Sequence, residues 1–168
     1  MHELIKNRRS VRDFTDKPVE PEKITRILRA AMQAPSARNK QPWEFLVVRN
    51  KDTLAAIAQS SPAAAPAGRG DVCIIPLVNM DYAGADSPWF AQDLGACTEN
   101  ILLQTVDEGL GAVWMGCYPL PDRQQTVRTL CNLPDHILPF AIIAIGYPKE
   151  HIPFIDRFDE TRIHYELY

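Results

Sequence analysis

Apolar Ile24, Ile27, Leu28 and Ala31 recur at i, i+3, i+4 and i+7 behind Pro21, a residue suited to a first helical turn. The pattern predicts an amphipathic helix over 21–34 that Pro35 ends. "WEFLVVR" (43–49) and "DVCIIPLVN" (71–79) are rich in β-branched and aromatic residues and read as strands, the second placed near an edge or bulge by Pro76. Between them "KDTLAAIAQS", behind Asn50 as N-cap, reads as a helix. "SPAAAPAGRG" (61–70) has the composition of a mobile loop. Helical periodicity returns over 88–108, with Gly109 as a left-handed stop. In that helix Phe90, Leu94, Cys97 and Ile101 form one apolar stripe and Ala96, Leu102, Leu103 and Val106 another, so it should be buried on two faces. A strand over 111–117, a helix near 121–131 and a strand over 140–146 complete the pattern, with no internal repeat.

Short strands interleaved with helices in a non-repeating order argue for an α+β fold rather than a doubly wound sheet. The 168 residues are 46% hydrophobic, enough for one ordinary core, and read as a single domain over 1–168. Residues 147–168 form a C-terminal extension. Its Phe154, Ile155, Phe158, Tyr165 and Tyr168 are too many anchors for disorder and should lie on the body or on a partner subunit.

Charge narrows the chemistry. A formal net charge of −3 gives no general attraction for nucleic acid, so the cluster Arg8, Arg9, Arg12 around Ser10 is a local feature. Arg8 and Arg12 face the same way whether the segment is helical or, with Ser10, extended. Two guanidiniums and a hydroxyl match a phosphate dianion; the alternative is a solvated helix end paired with Asp13 and Asp16. Cys73, Cys97, Cys117 and Cys131 show neither CxxC spacing nor a disulfide framework, which fits a reducing cytoplasmic environment, with Cys97 and Cys117 as small buried hydrophobes. The longest apolar run, "FAIIAI", is too short to cross a membrane. His2, His136, His151 and His164 have no metal-ligand spacing, and no GxSxG elbow is present.

"GLGAVWMG" has glycines, but a dinucleotide fingerprint needs a strand before them and a helix after, and here the order is reversed. Gly109 instead caps a helix, Gly111 starts a strand and Gly116 lets a flat group approach the backbone. "APSARNKQPWEF" (34–45) is either a solvated helix-to-strand connection or a rigid loop presenting amides, whose mixed donors and acceptors suit a flavin or nucleobase edge.

In order and spacing, "RRSVRDF", "APSARNKQPWEF", "GLGAVWMGCY" and the final "DRFDETRIHYE" resemble the nitroreductase family of FMN-dependent oxidoreductases nearly end to end. The resemblance implies a central, mostly antiparallel sheet flanked by helices and an intertwined homodimer with two FMN sites at the subunit interface. It implies that Arg8, Arg9, Ser10 and Arg12 hold the FMN phosphate and adjacent groups, with Arg157 reaching it from the far end of the chain. Pro35, Ser36, Ala37 and Asn39 would approach the flavin from the partner subunit, with Gln41 at the ring or ribityl edge and the Met115–Gly116 backbone beside the isoalloxazine. No side chain is implied as acid or base. The expected reaction is ping-pong hydride transfer from NAD(P)H through FMN to a small-molecule acceptor such as a nitroaromatic or quinone; a flavin-binding sensor or carrier without turnover is the alternative. Within the segment over the substrate pocket, Trp89 or Phe90 is expected to tune acceptor choice.

Overall fold

The computed structural model describes residues 1–84 and 87–168. A short helix, α1 (Glu3–Asn7), precedes the arginine-rich segment, and α2 (Pro21–Ala31) follows it. Then come β1 (Trp43–Val48), α3 (Lys51–Gln59), β2 (Val72–Asn79), α4 (Met80–Ala83), the long α5 (Phe90–Asp107), β3 (Gly111–Gly116), α6 (Pro121–Cys131), β4 (Ile137–Pro139) and β5 (Ala141–Gly146). The strands form one antiparallel sheet in the order β1-β2-β5-β3, with β4 pairing β2 beside β5. The α+β expectation holds.

The alternation of β2 explains why the core has two sides. Val72, Ile74 and Val78 join one buried cluster, with Ile24 and Ile27 of α2 and Leu94, Cys97 and Ile101 of α5. Cys73, Ile75 and Leu77 join the other, with Leu54 and Ile57 of α3 and Val127 of α6. Successive side chains of a strand point to opposite faces, so a strand covered on both reads as a continuous apolar run.

Several sequence expectations are corrected. The α-helix at 21 ends at Ala31, because the next turn tightens: Gln33 and Ala34 N–H donate to the carbonyls of Ala30 and Ala31. β2 lies inside the sheet, and of the edge or bulge expected from Pro76 the structure has the bulge. The pairing passes from Ile74↔Ile143 to Leu77↔Pro139, so Ile75 and Pro76 oppose three residues, Phe140 to Ile142. The Phe140 N–H donates to the Pro76 carbonyl at 2.9 Å, so the missing proline N–H faces the same irregular side. The stretch read as a mobile loop is a 3₁₀ helix over Pro62–Gly68 with Ala64, Pro66 and Ala67 buried. Its residues are small because the backbone lies close to α3: a Cβ on Gly68 would stand 3.0 Å from Ala58 Cβ.

In α5 Leu94, Cys97 and Ile101 of the first stripe are fully buried and Phe90 half-buried, while on the second face Leu102 is buried and Ala96, Leu103 and Val106 are only half-buried in one chain. The C-terminal extension leaves the body after pairing with the N-terminal segment, where Thr15 N–H donates to Tyr147 O and Lys149 N–H to Asp13 O. Every residue from His151 to Tyr168 is exposed, so beyond its contact with Arg9 the extension leaves its apolar anchors uncovered in one chain.

Candidate functional site

The arginine-rich segment docks along the outer edge of β3. Ser10 bridges Ala112 in parallel fashion, and Val11 N–H donates to Ala112 O at 2.9 Å. Gly111 permits this approach, since a Cβ there would stand 2.7 Å from Val11 Cγ2 and 2.9 Å from Pro148 Cγ. Val11 and Phe14, both buried, clamp the segment. Arg8 faces Glu99 of α5, Nε to Oε1 3.6 Å, and Arg12 Nη1 donates to Ser10 O at 3.2 Å. Burial pushes the Glu99 carboxyl up, opposed by the Arg8 charge. Arg9 Nε donates to Pro153 O at 3.0 Å and Nη1 to Arg8 O at 2.6 Å, with the guanidinium 5.4 Å from the Phe154 ring. Arg9 Nη2 is buried with no partner among the described residues. The sequence-level pairing with Asp13 is not made, because Asp13 faces Arg69 at 3.6 Å. A cavity of about 400 Å³ opens here between Ser10, Arg12, Lys149, Glu150 and Ile152. Sequence reading missed Lys149 and Glu150; their signal was their position directly after β5, the neighbour of β3.

Four residues further along β3, about 13 Å at the strand rise, lies Gly116. A Cβ on it would meet nothing nearer than Tyr118 O at 3.7 Å, so the backbone is open to a flat group. Its carbonyl accepts from Arg123 Nη1 at 3.1 Å. Met115 is buried on the opposite face of the strand, in the α3 and α6 cluster. An aromatic group surrounds this end of the strand: Phe140 stands 5.8 Å from Trp114 and 6.1 Å from Tyr118, which Phe90 meets edge-on at 5.0 Å. Trp114 and Tyr118 remain 38% exposed.

The loop before β1 is rigid. Arg38, Asn39 and Gln41 have left-handed φ of 56°, 53° and 48°, a strain of about 1–3 kcal/mol per residue that surrounding bonds must hold. Ser36 Oγ accepts from Gln41 N–H at 3.0 Å, Asn39 Oδ1 from Gln41 Nε2 at 2.9 Å, and buried Asp93 of α5 accepts from Ala37 N–H at 2.9 Å. Of the two sequence alternatives, the geometry is that of a fixed loop with exposed amides.

Within one chain these pieces stay apart. Three interstrand spacings, about 14 Å, separate β1 from β3. The Ser10–Arg12 segment, the Met115–Gly116 end of β3 and Ala37 of the loop line three separate cavities. Arg157 sits on the exposed extension, four residues beyond the last backbone contact with Arg9. Trp89, 48% exposed, lines the cavity beside the loop, whereas Phe90 packs on Tyr118 and the core. Burial pushes the thiols of Cys73, Cys97 and Cys117 up to about 12, so none of the three is a thiolate at neutral pH. No helix among the described residues is long and apolar enough to cross a membrane.

A family model described as "Nitroreductase family" matches residues 5–71 and 63–147. A protein of Methanothermobacter thermautotrophicus, described as a candidate NADH dehydrogenase/NAD(P)H nitroreductase, is 43% identical over 98% of this chain and 85% of its own length. The crystal structure of a candidate NADH oxidase from Clostridium acetobutylicum superposes with a TM-score of 0.94 at 41% identity, covering 99% of this chain and 100% of that one. A candidate nitroreductase from Desulfovibrio desulfuricans, solved in complex with FMN, superposes at 0.83 with 27% identity over 99% and 96% of the two chains.

Proposed function

The chain belongs to the nitroreductase family, and we propose that it is an FMN-dependent NAD(P)H oxidoreductase working as a homodimer in the cytoplasm. The observation that carries this reading is the arrangement along β3. A cationic segment whose buried Arg9 Nη2 has no partner among the described residues lies about 13 Å from an open glycine backbone, which suits a ligand with a phosphate at one end and a flat ring at the other. Bound FMN would supply the hydride chemistry between NAD(P)H and an acceptor such as a nitroaromatic or quinone, in a ping-pong reaction.

Arg8, Arg9, Ser10 and Arg12 hold the phosphate and adjacent groups, and Arg157 reaches the phosphate from the C-terminal extension. The Met115–Gly116 backbone would border the ring, where main-chain N–H groups can stabilise negative charge without titrating. Pro35, Ser36, Ala37, Asn39 and Gln41 come from the partner subunit, because the loop of the same chain sits on the far edge of the sheet. The half-buried second face of α5 and the apolar extension supply the surface for that partner. Residues 1–168 act as one domain, with 147–168 as its extension.

Titration of apo-protein with FMN and with riboflavin tests the phosphate assignment. Arg12→Ala removes a charge-assisted partner worth about 1.5–3 kcal/mol, so FMN binding weakens roughly ten- to a hundredfold. Riboflavin binding, weak in the wild type, stays unchanged. Equal losses for both ligands, or no loss for FMN, would remove the assignment. NAD(P)H oxidation with a panel of acceptors separates the enzyme from a flavin carrier.

A further inference from the structure

The cavity beside the loop is lined by residues that include Ala37, Arg38, Lys40, Gly84 and Trp89 and has a volume of about 400 Å³, within the range of small-molecule pockets. We propose that it is a subsite for an aromatic acceptor that carries an anionic group, with the ring against Trp89 and the anion between Arg38 and Lys40. This rests on the flavoenzyme reading, because the cavity shares Ala37 with the loop assigned to the flavin.

Three observations support it. Trp89 is 48% exposed and lines the cavity, so aromatic surface is available there to a ligand. Arg38 is exposed, is held at the tip of a strained loop, and makes no ion pair among the described residues. Lys40 Nζ spends one donor on the Ala83 carbonyl at 2.7 Å, which fixes its position and leaves its charge without a carboxylate within ion-pair distance among the described residues. Gly84 makes room for that ammonium: its φ is +89°, and a Cβ there would stand 3.1 Å from Lys40 Nζ. The carboxylate on the loop's inner side, Asp93, is buried and bonded to Ala37 N–H. In a chain of net charge −3, two cations without an ion pair among the described residues line the same cavity as the indole, a combination that suits a one- or two-ring acceptor bearing a carboxylate or sulfonate.

The test compares nitrobenzene with 4-nitrobenzoate, which share the reducible group and differ in charge, on flavin-loaded wild type, Arg38→Gln, Arg38→Glu and Lys40→Gln. For nitrobenzoate kcat/KM is expected to fall about tenfold on losing either cation, and further in Arg38→Glu, while nitrobenzene changes less than about twofold. Calorimetric titration of 4-nitrobenzoate should show the same ordering of affinities without turnover. It therefore tests the subsite even if the protein proves to be a flavin carrier. Flavin absorbance of each variant reports whether the neighbouring loop still holds. Equal losses for the two nitroarenes would overturn the proposal. So would a loss confined to NADPH relative to NADH, which would assign the cations to a nucleotide phosphate instead.

Discussion

Glu108 stands at the C-terminus of α5, where the helix dipole disfavours a carboxylate. It is tolerated because Arg26 of α2 grips both oxygens at 2.7 Å and Lys23 bonds its backbone carbonyl, tying the two helices together. The hydrogen bond from Arg26 holds the Glu108 carboxyl below its ordinary range. A carboxyl whose folded pKa is depressed contributes stability that is present above its unfolded pKa and lost as pH falls through the folded value. Glu108→Gln should therefore lower the denaturation midpoint at neutral pH, and the gap from wild type should close in acid. Urea titrations near pH 7 and about pH 3 check this; an equal deficit at both would show that packing, not charge, is lost. At this scale the sequence revealed residue types better than partners. The arginines and amides stood out by chemistry, but Glu99 opposite Arg8 and Asp93 beneath Ala37 are brought in by α5, from more than 50 positions away. No local spacing encodes such pairs.

Elements with full periods were legible, and short or context-dependent ones were not. Helix α3, with Asn50 capping through Thr53 N–H at 2.9 Å, follows its pattern closely. The short elements α1, α4 and β4 span too few residues for a period to register. The Pro62–Gly68 helix was misread because small residues signal both turns and close packing, and only the position of α3 distinguishes them. The C-terminal extension was legible as something that needs a surface. Phe154, Ile155, Phe158, Tyr165 and Leu167 are 45–84% exposed on one chain. Truncation after Ile152 removes few intrachain contacts, so the body should stay folded with nearly unchanged circular dichroism. Sedimentation should then show a weakened dimer. If the truncated chain associated as tightly as the full one, the extension would have no part in assembly.

For the whole molecule, the fold class followed from the order of elements, while the strand order, and with it the distance between the arginine segment and the loop before β1, did not. A register is set by cross-strand packing of residues distant in sequence, and only the assembled sheet shows that β1 and β3 are its two outer strands. That separation of about 14 Å has a genetic meaning. If each flavin site takes its arginines from one subunit and its loop from the other, a lesion in either half can be supplied in trans. Arg12→Ala and Asn39→Ala would each be defective alone. Expressed together, they would form mixed dimers holding one doubly damaged site and one intact site, restoring about a quarter of the wild-type flavin sites when subunits pair at random. Two defective alleles would then rescue each other through nothing more than which edge of a sheet each mutation occupies.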